Sequence, residues 1–205
     1  MIRTPTRPKR LRASERRAAT VEAVLALAAK SNPSEITTSS VTEHMGMTEG
    51  ALFRHFPDKA ALWNSVMQWI GESLLERVHR AAQSAPSPLV GLERMFMAHV
   101  EFIIEHPGIP RLMFSELQKA EDTPAKREVR ALLTRYTKHL ERVIERGKTQ
   151  GEIAADISTR DSSLLFVGTI QGLVTQSLLA GSTARMRADA RRVFTLYRRG
   201  IRSLP

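Results

Sequence analysis

The chain has 205 residues, no cysteine and a formal charge of +10. That length suits one domain or two small ones, the composition excludes disulfides and thiolate metal sites, and the charge favours an anionic partner. With no hydrophobic leader and no apolar run of membrane-spanning length in view, the expectation is a soluble cytoplasmic protein with no membrane partner. Glycine and proline fall between periodic apolar segments and no alternating strand pattern of useful length occurs, so the expected class is all-α.

The charge sits at the two ends. Residues 1–17 hold Arg3, Arg7, Lys9, Arg10, Arg12, Arg16 and Arg17 against Glu15, and residues 185–202 hold seven arginines against Asp189, while the stretch between is close to neutral. Pro5 and Pro8 keep the N-terminal arm extended. Arg3, Arg7, Lys9 and Arg10 can then lie along phosphates or enter a minor groove, the alternative being a solubilising tail. The C-terminal arginines flank an apolar stripe and read as a solvated helix face.

The elements follow in chain order. Ser14 is the expected cap of a first helix with Ala18, Val21, Val24, Leu25 and Ala28 inward, ending before Pro33. Thr37 and Thr38 are cap candidates for a short second helix with Val41 and Met45 on one face, and Gly46 marks a sharp turn. Thr48 caps a third helix through Gly50 or Ala51, with Leu52 and Phe56 inward and Glu49, Gly50, Phe53 and Arg54 outward. Asp58 caps a long connecting helix, 58–83, and puts Lys59 in its first turn. Composition breaks at Ser84-Ala-Pro-Ser-Pro88, which divides the chain into 1–60, the connecting helix, and 84–205. Beyond it come a largely apolar helix from Leu89 to Glu105, a short helix with Leu112 to Leu117, a long helix opened by Thr123-Pro124, an apolar helix from Thr159 to Ala180, and a last helix starting at Ser182 or Thr183. The total is about nine.

The second and third helices, short and joined by a glycine turn, have the layout of a helix-turn-helix. Ile36 to Leu62 closely resembles the N-terminal motif of the TetR/AcrR family of bacterial regulators, down to the aromatic-x-His-Phe-x-x-Lys segment made by Phe53, His55, Phe56 and Lys59. The resemblance implies a homodimeric repressor that binds a palindromic double-stranded DNA operator and whose C-terminal part senses a small molecule. Carried over position by position, it puts Thr38, Ser39, Thr48, His55 and Lys59 on phosphates and Glu49, Gly50, Ala51 and Arg54 at base edges. Phe53 stands where the family usually has Tyr, so the contact there loses a hydroxyl. Thr42 replaces a usual Ala, and its hydroxyl is expected to bond the Thr38 carbonyl.

Two further sites are expected. Gly168 and Gly172, one turn apart and flanked by Leu164, Leu165 and Leu179, suit close approach of a second helix, either within the chain or from a second copy. Val193, Phe194 and Tyr197 join them in the expected dimer interface, which the resemblance implies is a four-helix bundle. Met95, Phe96, His99, Phe102, Met113, Phe114, Leu117, Tyr136, Phe166 and Gln171 are the expected lining of a cavity for an apolar or amphipathic effector, with His99, Tyr136 and Gln171 its polar groups. The connecting helix is expected to be the one element touching both the motif and the rest, and so to couple them.

None of the six histidines has H-x-x-x-H spacing, and no phosphate loop or nucleophile elbow occurs. No catalytic, metal or cofactor role is expected. An enzyme or carrier would leave the motif and the arm unexplained; a DNA-binding protein of the same fold acting without a ligand, through nucleoid or protein-partner contacts, remains the alternative.

Overall fold

In the computed structural model, which describes residues 13–203, the described chain is all-α, with nine α-helices and no sheet. They are α1 (Ala13–Lys30), α2 (Thr38–Met45), α3 (Glu49–Phe53), α4 (Lys59–Gln83), α5 (Pro88–Glu105), α6 (Gly108–Leu117), α7 (Pro124–Thr149), α8 (Thr159–Leu179) and α9 (Met186–Ile201). A single 3₁₀ turn, Pro33–Glu35, precedes α2.

Most helices begin where a small polar residue can satisfy their free N–H groups. Thr37 and Ser40 form a reciprocal capping box at α2, Thr48 accepts from Ala51 N at α3, and Asp58 accepts from Ala61 N at 2.7 Å at α4. Thr123 accepts from Lys126 N at α7, with Pro124 next. The start of α5 is held by Ser87 and also by Glu152 from the far end of α7, whose carboxylate accepts from Leu89 N at 2.9 Å. Two starts differ from expectation. Helix α1 already includes Ser14, and α9 opens at Met186 without a side-chain cap because Ser182 is spent on a local turn to Ala184 N. Ala18 is exposed, since the first turns of α1 stand clear of the core that Val21, Val24 and Ala28 enter.

The connecting helix α4 runs 25 residues, about 37 Å at the usual rise. It packs on α5 and α7 along Ile70, Leu74 and Val78, and α9 closes the other side of α5. At the centre of α5, α8 and α9 the rings of Phe96, Phe166, Phe194 and Tyr197 interlock, with Phe96 5.1 Å from Phe166 and 5.2 Å from Phe194. Met95, Phe96 and Phe166 are therefore sealed core residues rather than cavity lining, and Phe194 and Tyr197 face their own chain's core rather than an interface. Helices apolar around most of their circumference leave the rotation about the axis undetermined by pattern, which is why these five were misplaced.

Helix α6 packs its first residue against α1, and the approach is backbone to backbone. A Cβ on Gly108 would stand 2.8 Å from Ala29 N and closer still to the Leu25 carbonyl oxygen. Helix α4 is thus not the only bridge between the N-terminal helices and the rest: α6 meets α1 and the 3₁₀ turn directly.

By length and composition α8 could cross a membrane: 21 residues, with a mean hydropathy of 1.3 and only 28% of its most apolar stretch buried. This corrects the reading that no such segment exists. Its Ser, Thr, Gln and Gly break the apolar run to the eye without making the helix hydrophilic. Among the described residues it is the only helix of that kind.

Replacing Gly108 by Ala should lower the thermal midpoint, because a methyl forced into a backbone seam costs about 1–3 kcal/mol, or roughly 2–4 °C per kcal/mol in a chain this long. Gly200→Ala, on an open helical site, should instead stabilise slightly. Equal effects from the two substitutions would show that the seam is not tight.

Candidate nucleic-acid interface and apolar cavity

The turn between α2 and α3 is made by Gly46 in the left-handed region, φ 62°, which a side chain would resist. Leu52 and Phe56 are buried beside Val41, so α3 can offer only its other side. Glu49, Gly50, Phe53 and Arg54 are all exposed there. Ser39 and Thr48 are exposed at the helix starts, Thr38, Ala51 and His55 are half-buried, and Lys59 sits with its ammonium 5.6 Å from the Trp63 ring centroid. Thr38 donates to the Glu49 carboxylate at 3.1 Å, tying the two helices together across the turn. The Thr42 hydroxyl donates to the Ser39 carbonyl at 2.9 Å instead of that of Thr38, a tighter i−3 bond.

Arg17 was not foreseen as part of this site. From α1 it donates to the His55 carbonyl at 3.2 Å and lies 5.8 Å from the Phe56 ring, clamping the end of α3. It was hidden because it belongs by sequence to the basic arm. Arg3, Arg7, Lys9 and Arg10 lie outside the described residues.

A cavity of about 460 Å³ lies among α4, α5, α6, α7 and α8. Of the expected lining, His99, Phe102, Met113, Phe114, Leu117, Tyr136 and Gln171 are there; Met95, Phe96 and Phe166 are behind the wall. Ile70, Leu74, Ile109, Leu132, Ile170 and Thr175 also line it. Nothing in the sequence separates such aliphatic residues from ordinary core. His99 Nδ1 and the Tyr136 hydroxyl share a hydrogen bond at 3.2 Å. Burial pushes the His99 imidazole down to about 4 and holds the Tyr136 phenol well above its ordinary value.

The outer face of α8 is open. Leu164, Leu165, Gly168, Gly172 and Leu179 are exposed, as is Leu196 on α9, and Val193 is half-buried. A Cβ on either glycine would meet nothing within 4 Å, so no helix of the same chain approaches them. Among the described residues no three metal-ligating side chains cluster. His79 and His139 do meet across α4 and α7, ring centroids 5.0 Å apart.

A capped helix pair with an exposed short second helix, carried on a helical body with an apolar cavity, is the architecture of a helix-turn-helix DNA-binding protein. Residues 21–66 match the family model for bacterial regulatory proteins of the tetR family, and residues 88–200 match that for the tetracyclin repressor-like C-terminal domain. The chain belongs to the TetR family of DNA-binding transcriptional regulators. It is 23% identical over 161 residues to the nucleoid occlusion factor SlmA of Marinomonas sp. (strain MWYL1), covering 78% of this chain and 82% of that one. The fatty acid degradation regulator FadR from Bacillus halodurans superposes with a TM-score of 0.81 at 17% identity, over 96% of this chain and all of that one. FadR from Bacillus subtilis, solved in complex with stearoyl-CoA, gives 0.79 at 17% identity over 90% and 98%. At such identities the structural likeness carries the fold alone.

Acid should destabilise the protein. Two imidazoles, His99 and His139, are pushed by burial from an ordinary 6.5 to about 4, so the unfolded chain takes up protons that the folded chain refuses. Their contribution is present above pH about 6.5 and is lost as pH falls toward 4. Urea melts across that window should show stability falling with pH, and His99→Phe should flatten the slope; an unchanged slope would place His99 outside the cause.

Proposed function

We propose that two copies pair through the open faces of α8 and α9 and set their α3 helices in successive major grooves of a palindromic operator, as a repressor that an apolar or amphipathic effector releases. The observation that carries the effector is the position of α6. It lines the cavity with Ile109, Met113 and Phe114, and its first residue lies on α1. A ligand that changes the seating of α6 reaches the N-terminal helices through one rigid element, and it shifts the equilibrium only by its differential affinity for the two seatings. In this reading the chain divides at 84–88, with the arm and motif reading DNA and the rest sensing and pairing. Arg54 and Glu49 read bases, Lys59 and the helix-start hydroxyls hold phosphates, and the arm adds further phosphate contacts. In this reading pairing covers the apolar face of α8, which supports a cytoplasmic protein over a membrane-embedded one.

The sequence relatives favour a second reading: DNA binding without a ligand, in which nucleoid or protein-partner contacts carry the output. The matched SlmA chains are named as nucleoid occlusion factors. The two readings part on one measurement. Affinity for a selected DNA site is measured with and without compounds that raise the melting temperature. A fall of about 5- to 150-fold, the usual range of coupling, supports the effector-released repressor, whereas unchanged affinity with every stabilising compound supports the second.

Two substitutions test the DNA and pairing assignments under either reading. Arg54→Ala should relax preference at one base pair per half-site, at about 1–3 kcal/mol; uniform weakening on all sequences would make Arg54 a phosphate contact. Leu179→Glu, on the open face, should give monomers in sedimentation and abolish binding to a paired site while leaving helicity intact. A dimer that survives would relocate the interface.

A further inference from the structure

The cavity differs from an ordinary binding cleft in what its wall lacks. No Asp, Glu, Lys or Arg is among its lining residues. Of the three carboxylates of α5, Glu93 pairs with Arg198, and Glu101 and Glu105 stand on the other side of that helix from His99 and are engaged by Arg187 and Arg77. An ionised group entering the cavity would leave water without a counter-charge to meet it. Its polar content is small and neutral: Gln171 and Thr175 at the exposed edge of α8, and the His99–Tyr136 pair on α5 and α7.

That pair has a fixed proton inventory. A neutral imidazole carries one N–H and a phenol one O–H. Their mutual bond uses one of the two whichever tautomer is present, and no other hydrogen bond engages either side chain among the described residues. One donor proton is left over. We infer that the cavity takes an uncharged amphipathic molecule, with an aliphatic or alicyclic body among Leu74, Phe102, Ile109, Met113 and Leu132 and one neutral acceptor such as a ketone, ester, lactone or hydroxyl oxygen on the His99–Tyr136 pair. This rests on the effector reading above and narrows it to a ligand class. Burial agrees with it: an imidazole pushed to about 4 offers no positive charge to an anion at neutral pH.

The test is calorimetric titration of the full chain near neutral pH with four molecules of one chain length: octan-2-one, octan-1-ol, octanoate and octylammonium. The ketone and the alcohol should bind at least tenfold tighter than either ion. His99→Phe combined with Tyr136→Phe, which removes both donors, should weaken the ketone by about 2- to 13-fold, the worth of one ordinary hydrogen bond, while His99→Phe alone, which leaves the Tyr136 hydroxyl free to donate, should recover part of the loss. Leu133→Trp, which fills the cavity from its wall, should abolish binding in a protein that still melts cooperatively. Octanoate or octylammonium binding as tightly as the ketone would overturn the uncharged class and leave the effector reading standing. Ketone affinity indifferent to the double substitution would overturn the anchoring pair. Binding by none of the four would bring down the effector reading and this inference with it.

Discussion

The contact on which the arrangement depends is the approach of α6 to α1 at Gly108, where one residue's lack of a side chain lets two backbones meet. Without it α1 would be tied to the body only through α4, and the helix pair that α1 braces would ride on the end of a long lever. With it, the N-terminal helices are held at two points. The orientation of α3 is then set by the positions of α4 and α6 together, and both of those helices are walls of the cavity.

A second set of ties runs across the body. Glu101 and Glu105 lie one turn apart on α5; the first engages Arg187 of α9 and the second Arg77 of α4. These pairs are partly exposed, so each contributes little to stability. Their effect is on register, because bidentate arginine–carboxylate geometry fixes how α4 and α9 slide along α5. The ion pairs and the aromatic cluster of Phe96, Phe166, Phe194 and Tyr197 make α5 the fixed member against which α4 and α6 are positioned.

What could be read from the sequence was what is local. Helix caps at Thr37, Thr48 and Asp58 and the glycine turn at Gly46 are set by residues within four positions of one another, so the helix-turn-helix and the all-α class were legible. The exposed stripe of α8 was legible because its leucines and glycines recur at helical spacing. What was not legible depends on the rotation of a helix that is apolar all round. Phe96 and Phe102 lie six residues apart on α5, yet one is sealed in the core and the other faces the cavity. The α1–α6 seam joins residues about eighty positions apart through a glycine, which carries no pattern at all. Thr42 was one residue off for a smaller reason: its hydroxyl took the nearer of two carbonyls that sequence cannot tell apart.

The amphibious character of α8 has a consequence for how the chain is made. During synthesis this helix leaves the ribosome before α9, so for a time it is a 21-residue apolar segment with one of its own covering helices still missing. To a targeting machinery that measures length and hydropathy, it resembles a membrane insert. What separates the two fates is timing: the docking of Phe166 and Ile170 onto helices already formed must outpace recognition of the exposed leucines. Helices α1 to α7 precede α8 in the chain, so the apolar helix emerges after α5 and α7, two of the helices that cover its inner face.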